Sequence, residues 1–157
     1  MEQATDRCKM YCGEKNQMYS ALSEELARMY NAAGRREESL ACHLAVRNQL
    51  LKNGYREGSM LLMVDNNMSV VYLDLGRPEE AIPYLTEALE LTKENGLVGS
   101  AVAEPTWNLA RVYRALGDEE KEDIYLKAAV EGFRECYPPE HPKRIAAEQR
   151  LKERQGK

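Results

Sequence analysis

The chain has 157 residues, 31% of them charged, with 26 acidic against 22 basic side chains and a formal net charge of −4. That length supports one domain with a buried core, and the acidic balance argues against a general nucleic-acid binder, which carries a surplus of Lys and Arg. The N-terminal MEQATDRCKM lacks the apolar stretch of a secretory signal, and the longest apolar run, Met60 to Val64, is too short to cross a bilayer. The expectation is a cytoplasmic protein whose cysteines (8, 12, 42 and 136) are free thiols.

Eight helices are predicted. A first, at 2–12, precedes everything that repeats. The next, 16–33, ends on Tyr30-x3-Gly34, and its partner at 36–52 stops at Lys52-Asn53-Gly54. In the second pair, 58–75 and 78–94, Met68, Tyr72 and Leu75 share one helix face, as do Leu85, Ala88 and Leu89. Gly76 supplies the left-handed backbone that closes a helix without a Cβ clash. Pro78 suits the first turn of the following helix, and Glu79 and Glu80 favour the positive end of its dipole. The third pair, 99–116 and 119–135, has the same grammar around Gly117. A polar helix at 140–155 reads as a cap.

These pairs are copies. Tyr-x3-Gly occurs at 30–34, 72–76 and 113–117, with the glycines 42 and 41 residues apart. Four residues before each Tyr stands a large apolar side chain (Leu26, Met68, Leu109), followed by a small residue (Ala27, Ser69, Ala110). Leu151 falls 42 residues past Leu109, where a fourth copy would begin. The small residues let the two helices of a hairpin approach closely; a larger one there would cost about 1–3 kcal/mol of strain. One hairpin cannot bury its apolar face alone, whereas stacked neighbours can. The expected organisation is a single all-α domain with an N-terminal helix or cap at 1–15, repeats at 16–54, 58–96 and 99–136, and a C-terminal capping helix or half repeat at 140–155.

This pattern resembles the tetratricopeptide repeat (TPR). The usual TPR period is about 34 residues, and the longer period here is similar to the variant found in kinesin light chains and related scaffolds. Asn66-Asn67-Met68-Ser69-Val70-Val71-Tyr72 resembles that variant's first-helix signature, Glu80-Ala81-Ile82-Pro83-Tyr84-Leu85 its second helix, and Pro139-Glu140-His141-Pro142 its link into the next repeat. The resemblance covers about residues 16–155 and implies a right-handed superhelical array of antiparallel hairpins. Pro83 is expected to be a tolerated kink near its helix start. Ser39 and Glu122 depart from the small apolar residue that the family prefers at the place of Ala81, and Glu122 in particular threatens the packing of the third hairpin.

The resemblance also implies where a ligand would lie. First helices of a TPR array line a concave groove that takes extended peptides. The groove positions fall on Glu24, Glu25, Arg28 and Asn31; on Met63, Asn66, Asn67, Val70 and Leu73; and on Glu104, Trp107, Asn108, Arg111 and Arg114. Asn67 and Asn108, 41 residues apart, are the expected clamps for a peptide backbone, since a carboxamide offers both an acceptor and donors. The competing reading is an Asn that bridges helices within the fold. Their equivalents in the flanking repeats are Glu25 and Arg150. Arg28, Arg111 and Arg114 suit ligand carboxylates, or else they are solvated or paired with Glu24, Glu104 or Asp74. Trp107 is an aromatic anchor or a core residue. Replacing Asn67 and Asn108 by Ala is expected to abolish peptide binding with little change in melting temperature.

No metal or cofactor is expected, because the Cys and His residues are scattered, and no catalytic motif is present. The expected partner is a protein or a partly acidic peptide rather than nucleic acid or a membrane, with the chain a monomer or a weak homo-oligomer through its terminal repeats. Two other functions stay open: a peptide-sensing module of a bacterial signalling system, and a self-assembling structural array.

Overall fold

The computed structural model describes residues 17–54 and 59–156; the helix predicted at 2–12, with Cys8 and Cys12, lies outside them. Secondary structure among the described residues is helical throughout. The α-helices are α1 (Gln17–Ala32), α2 (Arg36–Lys52), α3 (Ser59–Asp74), α4 (Ile82–Glu94), α5 (Ser100–Leu116), α6 (Glu119–Cys136) and α7 (Pro142–Gln155). A 3-10 turn, Pro78–Ala81, precedes α4. The described residues fall into two compact units, divided between Gly76 and Arg77.

The repeated glycines act as stops: Gly34, Gly76 and Gly117 have φ of 75°, 71° and 74°, the left-handed region that costs a Cβ-bearing residue steric strain. Pro83 differs from expectation. Because the 3-10 turn ends at Ala81 and α4 begins at Ile82, Pro83 sits in the first turn of α4, where an N–H has no intrahelical partner to lose. It is therefore an initiator and not a kink. The proline inside an α-helix is Pro105 of α5, whose missing N–H leaves the Ala101 carbonyl without its helical partner.

In the first unit, α2 packs against both α1 and α3. Ala27 and Ser39 are fully buried, and the Ser39 hydroxyl donates to the Ala27 carbonyl at 2.7 Å. That bond requires a close approach of α1 and α2, and it satisfies a hydroxyl that would otherwise be costly to bury. Between α2 and α3, Arg47 Nε donates to Asp65 Oδ1 at 2.8 Å, both groups buried.

In the second unit, α5 packs against α4 and α6, and α6 carries α7 on its other side. Its core joins Ala103 and Ala110 of α5, Leu126, Val130 and Phe133 of α6 and Ala147 of α7, with Trp107, Tyr125, Tyr137 and Leu151 packed around them. Helices α5 and α6 nearly touch at Gly132: a Cβ there would lie 2.8 Å from that of Ala103. Glu122 does not break this packing. It is 3% exposed, and Arg150 of α7 closes on it with two hydrogen bonds, Nε to Oε1 at 2.6 Å and Nη2 to Oε2 at 3.0 Å.

Candidate functional site

In the first unit, the expected groove residues divide into a buried set and an exposed set. Glu24 faces inward: Oε1 lies 2.8 Å from His43 Nδ1, and Oε2 accepts a hydrogen bond from Asn67 Nδ2 at 3.1 Å. The three side chains tie α1, α2 and α3 together. One amide donor of Asn67 is thereby spent inside the fold. Asn66 and Val70 are half-buried beside it on α3, and the Asn66 carbonyl accepts from the Ser69 hydroxyl at 2.6 Å. Arg28 is exposed and reaches Glu25 one turn back at 3.1 Å. With Met29, Asn31 and Ala32 these two side chains border an open depression of about 430 Å³. The Asn31 side-chain oxygen is buried and has no hydrogen-bond partner among the described residues.

In the second unit, the helical spacing of α5 puts Trp107, Arg111 and Arg114 on one face, and a small cleft of about 80 Å³ lies against all three. Ala110 and Leu126 give it an apolar lining, and Glu122 and Arg150, paired with each other, also border it. Trp107 serves both readings: it packs edge-on to Phe133, with centroids 6.4 Å apart, and still borders the cleft. Arg114 is exposed and forms no ion pair among the described residues. Arg111 donates to Asn108 Oδ1 at 3.2 Å, and Asn108 itself is buried, so Asn108 supports the arginine from behind and does not border the cleft. Glu104 lies elsewhere on α5, accepting from the Tyr137 hydroxyl at 2.6 Å and pairing with Lys143 at 2.6 Å. The expectation that Asn67 and Asn108 could be truncated with little loss of stability does not fit these contacts, because each holds a charged neighbour in place.

Ala110, Glu122, Leu126 and Arg150 are the cleft residues that sequence reasoning did not assign to ligand binding. The signal was present in Arg150, which stands 42 residues after Asn108, and in Glu122, the odd residue at the close approach. Among the described residues no three metal-ligating side chains converge, and no helix is long and apolar enough to cross a membrane.

Paired antiparallel helices, glycine stops at a fixed period and polar side chains along the first helix of each pair define an all-α helical-repeat protein. Residues 60–135 match the tetratricopeptide repeat family model. Solved structures extend the likeness over the whole chain. A kinesin light chain-like protein of Podosopora anserina with nearly identical TPR-like repeats is 22% identical at a TM-score of 0.78, with 99% of this chain and 74% of that one covered. Its Q17M variant gives 0.81 at the same identity and coverage. BtubC (BKLC) from P. vanneervenii is 18% identical at 0.72, with 89% and 64% covered. At such identity the structures establish fold and nothing finer. No curated protein sequence matches the chain. The chain thus has the all-α helical-repeat fold of kinesin light chain-type proteins, with the tetratricopeptide repeat match lying on residues 60–135. Repeats of this family generally mediate protein–protein interaction and are generally non-enzymatic scaffolds.

Proposed function

We propose that this chain is an interaction adaptor that binds an extended, partly acidic peptide along the first helices of its repeats, with its main anchor in the cleft of the second unit. The observation that carries this reading is the convergence of Trp107, Arg111 and Arg114 on one small cleft. An aromatic edge and two guanidinium forks beside an apolar lining suit a short apolar side chain flanked by carboxylates. Asn108 steadies Arg111, and Asn67, with Asn66 and Val70 beside it, offers the carbonyl oxygen of its amide to a peptide N–H. In the first unit, Arg28 and Asn31 border the depression on α1 and offer polar contacts of their own to a peptide.

Replacing Arg114 by Ala tests the reading with little risk to the fold, because the side chain is exposed. An acidic peptide selected on the wild-type chain should bind the variant roughly tenfold more weakly, with unchanged melting temperature. Equal affinity for both chains would remove the cleft from the binding surface.

A further inference from the structure

We propose that Arg150 is a specificity-determining residue of this cleft: by closing on Glu122 it removes a negative charge from the wall and leaves the cleft positive toward a ligand carboxylate. The proposal rests on the reading of the cleft as an acidic-peptide anchor.

Glu122 occupies the place held by Ser39 and Ala81 in the preceding copies, both fully buried. A carboxylate at such a place needs a partner. Arg150 supplies it through the two bonds at 2.6 and 3.0 Å, and reaches Glu153 at 3.3 Å. Arg154 comes no nearer to Glu122 than 4.0 Å and is engaged by Asp123 and Glu119 at 2.8 and 3.0 Å. Glu122 and Arg150 border the same cleft as Arg111 and Arg114. With the pair closed, the two arginines of α5 set the sign of the field there. Without Arg150, the Glu122 carboxylate competes with the ligand for those arginines and repels it. Without the charge on Glu122, Arg150 is released toward the ligand as a third guanidinium. The two changes therefore move the preference for acidic ligands in opposite directions. A pair that only held α7 in place would weaken binding when broken from either side.

The test uses the full chain and two end-blocked peptides with Gly/Ser flanks, one carrying Leu-Asp-Asp and the other Leu-Asn-Asn, with affinities from calorimetry. Arg150→Met should lower the acidic-over-amide preference roughly tenfold, Glu122→Gln should raise it several-fold, and the double variant should return near the wild-type ratio. Helical content and melting temperature are followed in parallel. If Arg150→Met does not fold, Glu122→Gln decides alone, and an unchanged or lowered preference overturns the proposal. Singles that shift both peptides equally, or a double variant that stays at the Arg150→Met ratio, also overturn it. A wild-type chain that does not distinguish the two peptides defeats the underlying reading of the cleft, and the proposal with it.

Discussion

Gly132 shows how much a single hydrogen decides in the second unit. It lies in the interior of α6, where a glycine costs helix stability, yet a methyl group there would meet the Ala103 Cβ at 2.8 Å. Gly132→Ala should therefore destabilise the chain by about 1–3 kcal/mol despite its better helix propensity. A compensating Ala103→Gly should recover part of that loss in the double variant, as read by denaturant unfolding. Neither residue belongs to the repeated small positions, which is why the sequence pattern did not mark them: periodicity reveals what all copies share and is blind to a contact that one hairpin makes alone. The same blindness covers Glu122. The sequence shows a charge where the other copies have Ser39 and Ala81, but its neutralising partner stands 28 residues away, and no spacing rule links them. Removing that partner should leave a buried carboxylate with only Arg154, 4.0 Å away, beside it, so Arg150→Met is expected to cost roughly 3 kcal/mol of stability. Adding Glu122→Gln should lessen the cost, measured by the same unfolding experiment.

At the level of elements, α7 is held differently from the others. Its one fully buried residue is Ala147, Leu151 packs at the edge of the core, and its other attachments are polar: Arg150 to Glu122, Arg154 to Asp123, Arg134 to Glu148, and an Arg144 hydrogen bond to the Tyr137 carbonyl at 2.9 Å. The hydrogen bond from Arg154 holds the Asp123 carboxyl below its ordinary value of 3.8, and those from Arg134 and then Arg144 hold Glu148 below 4.5. For carboxylates whose folded values are depressed, the stabilisation is complete above the unfolded values and is lost as pH falls through the folded ones. Amide exchange should thus show α7 losing protection below about pH 4, before the α5–α6 hairpin does; simultaneous loss would mean that apolar contacts hold α7.

The link into α7 carries a second titration signature. Burial, then the hydrogen bond to Glu104, pushes the Tyr137 hydroxyl up to about 12. A tyrosinate titration by ultraviolet absorbance should show one tyrosine ionising near that value, lost in Tyr137→Phe. The PPEHP segment was legible as a link, and across it Tyr137 stacks on His141 with ring centroids 3.8 Å apart.

For the whole molecule, the repeat was legible because close helix packing imposes the same size on the same place in every copy. Ala27, Ser69 and Ala110 are all buried, and so are Val46, Ala88 and Ala129 at a second register position. Residues exempt from that constraint were not legible. His43 stands where the later copies have Leu85 and Leu126, and the Glu24 carboxylate is the partner that lets a polar ring sit there. The place of Asn67 in the copy points to a ligand clamp, whereas one of its donors serves Glu24. Spacing places a side chain on a face but does not say which neighbour has claimed its hydrogen bonds. Trp107, Arg111 and Arg114, which share the cleft with Ala110, were legible together because helical spacing alone brings them to one side of α5.

Trp107 is the only tryptophan in the chain and borders the cleft, so its fluorescence reports directly on occupancy. Titrating the intact chain with the Leu-Asp-Asp peptide should give a saturable change in Trp107 emission that the amide counterpart fails to reproduce at the same concentration and that rising salt weakens. An emission spectrum unmoved by the acidic peptide, or moved equally by both peptides, would contradict the account.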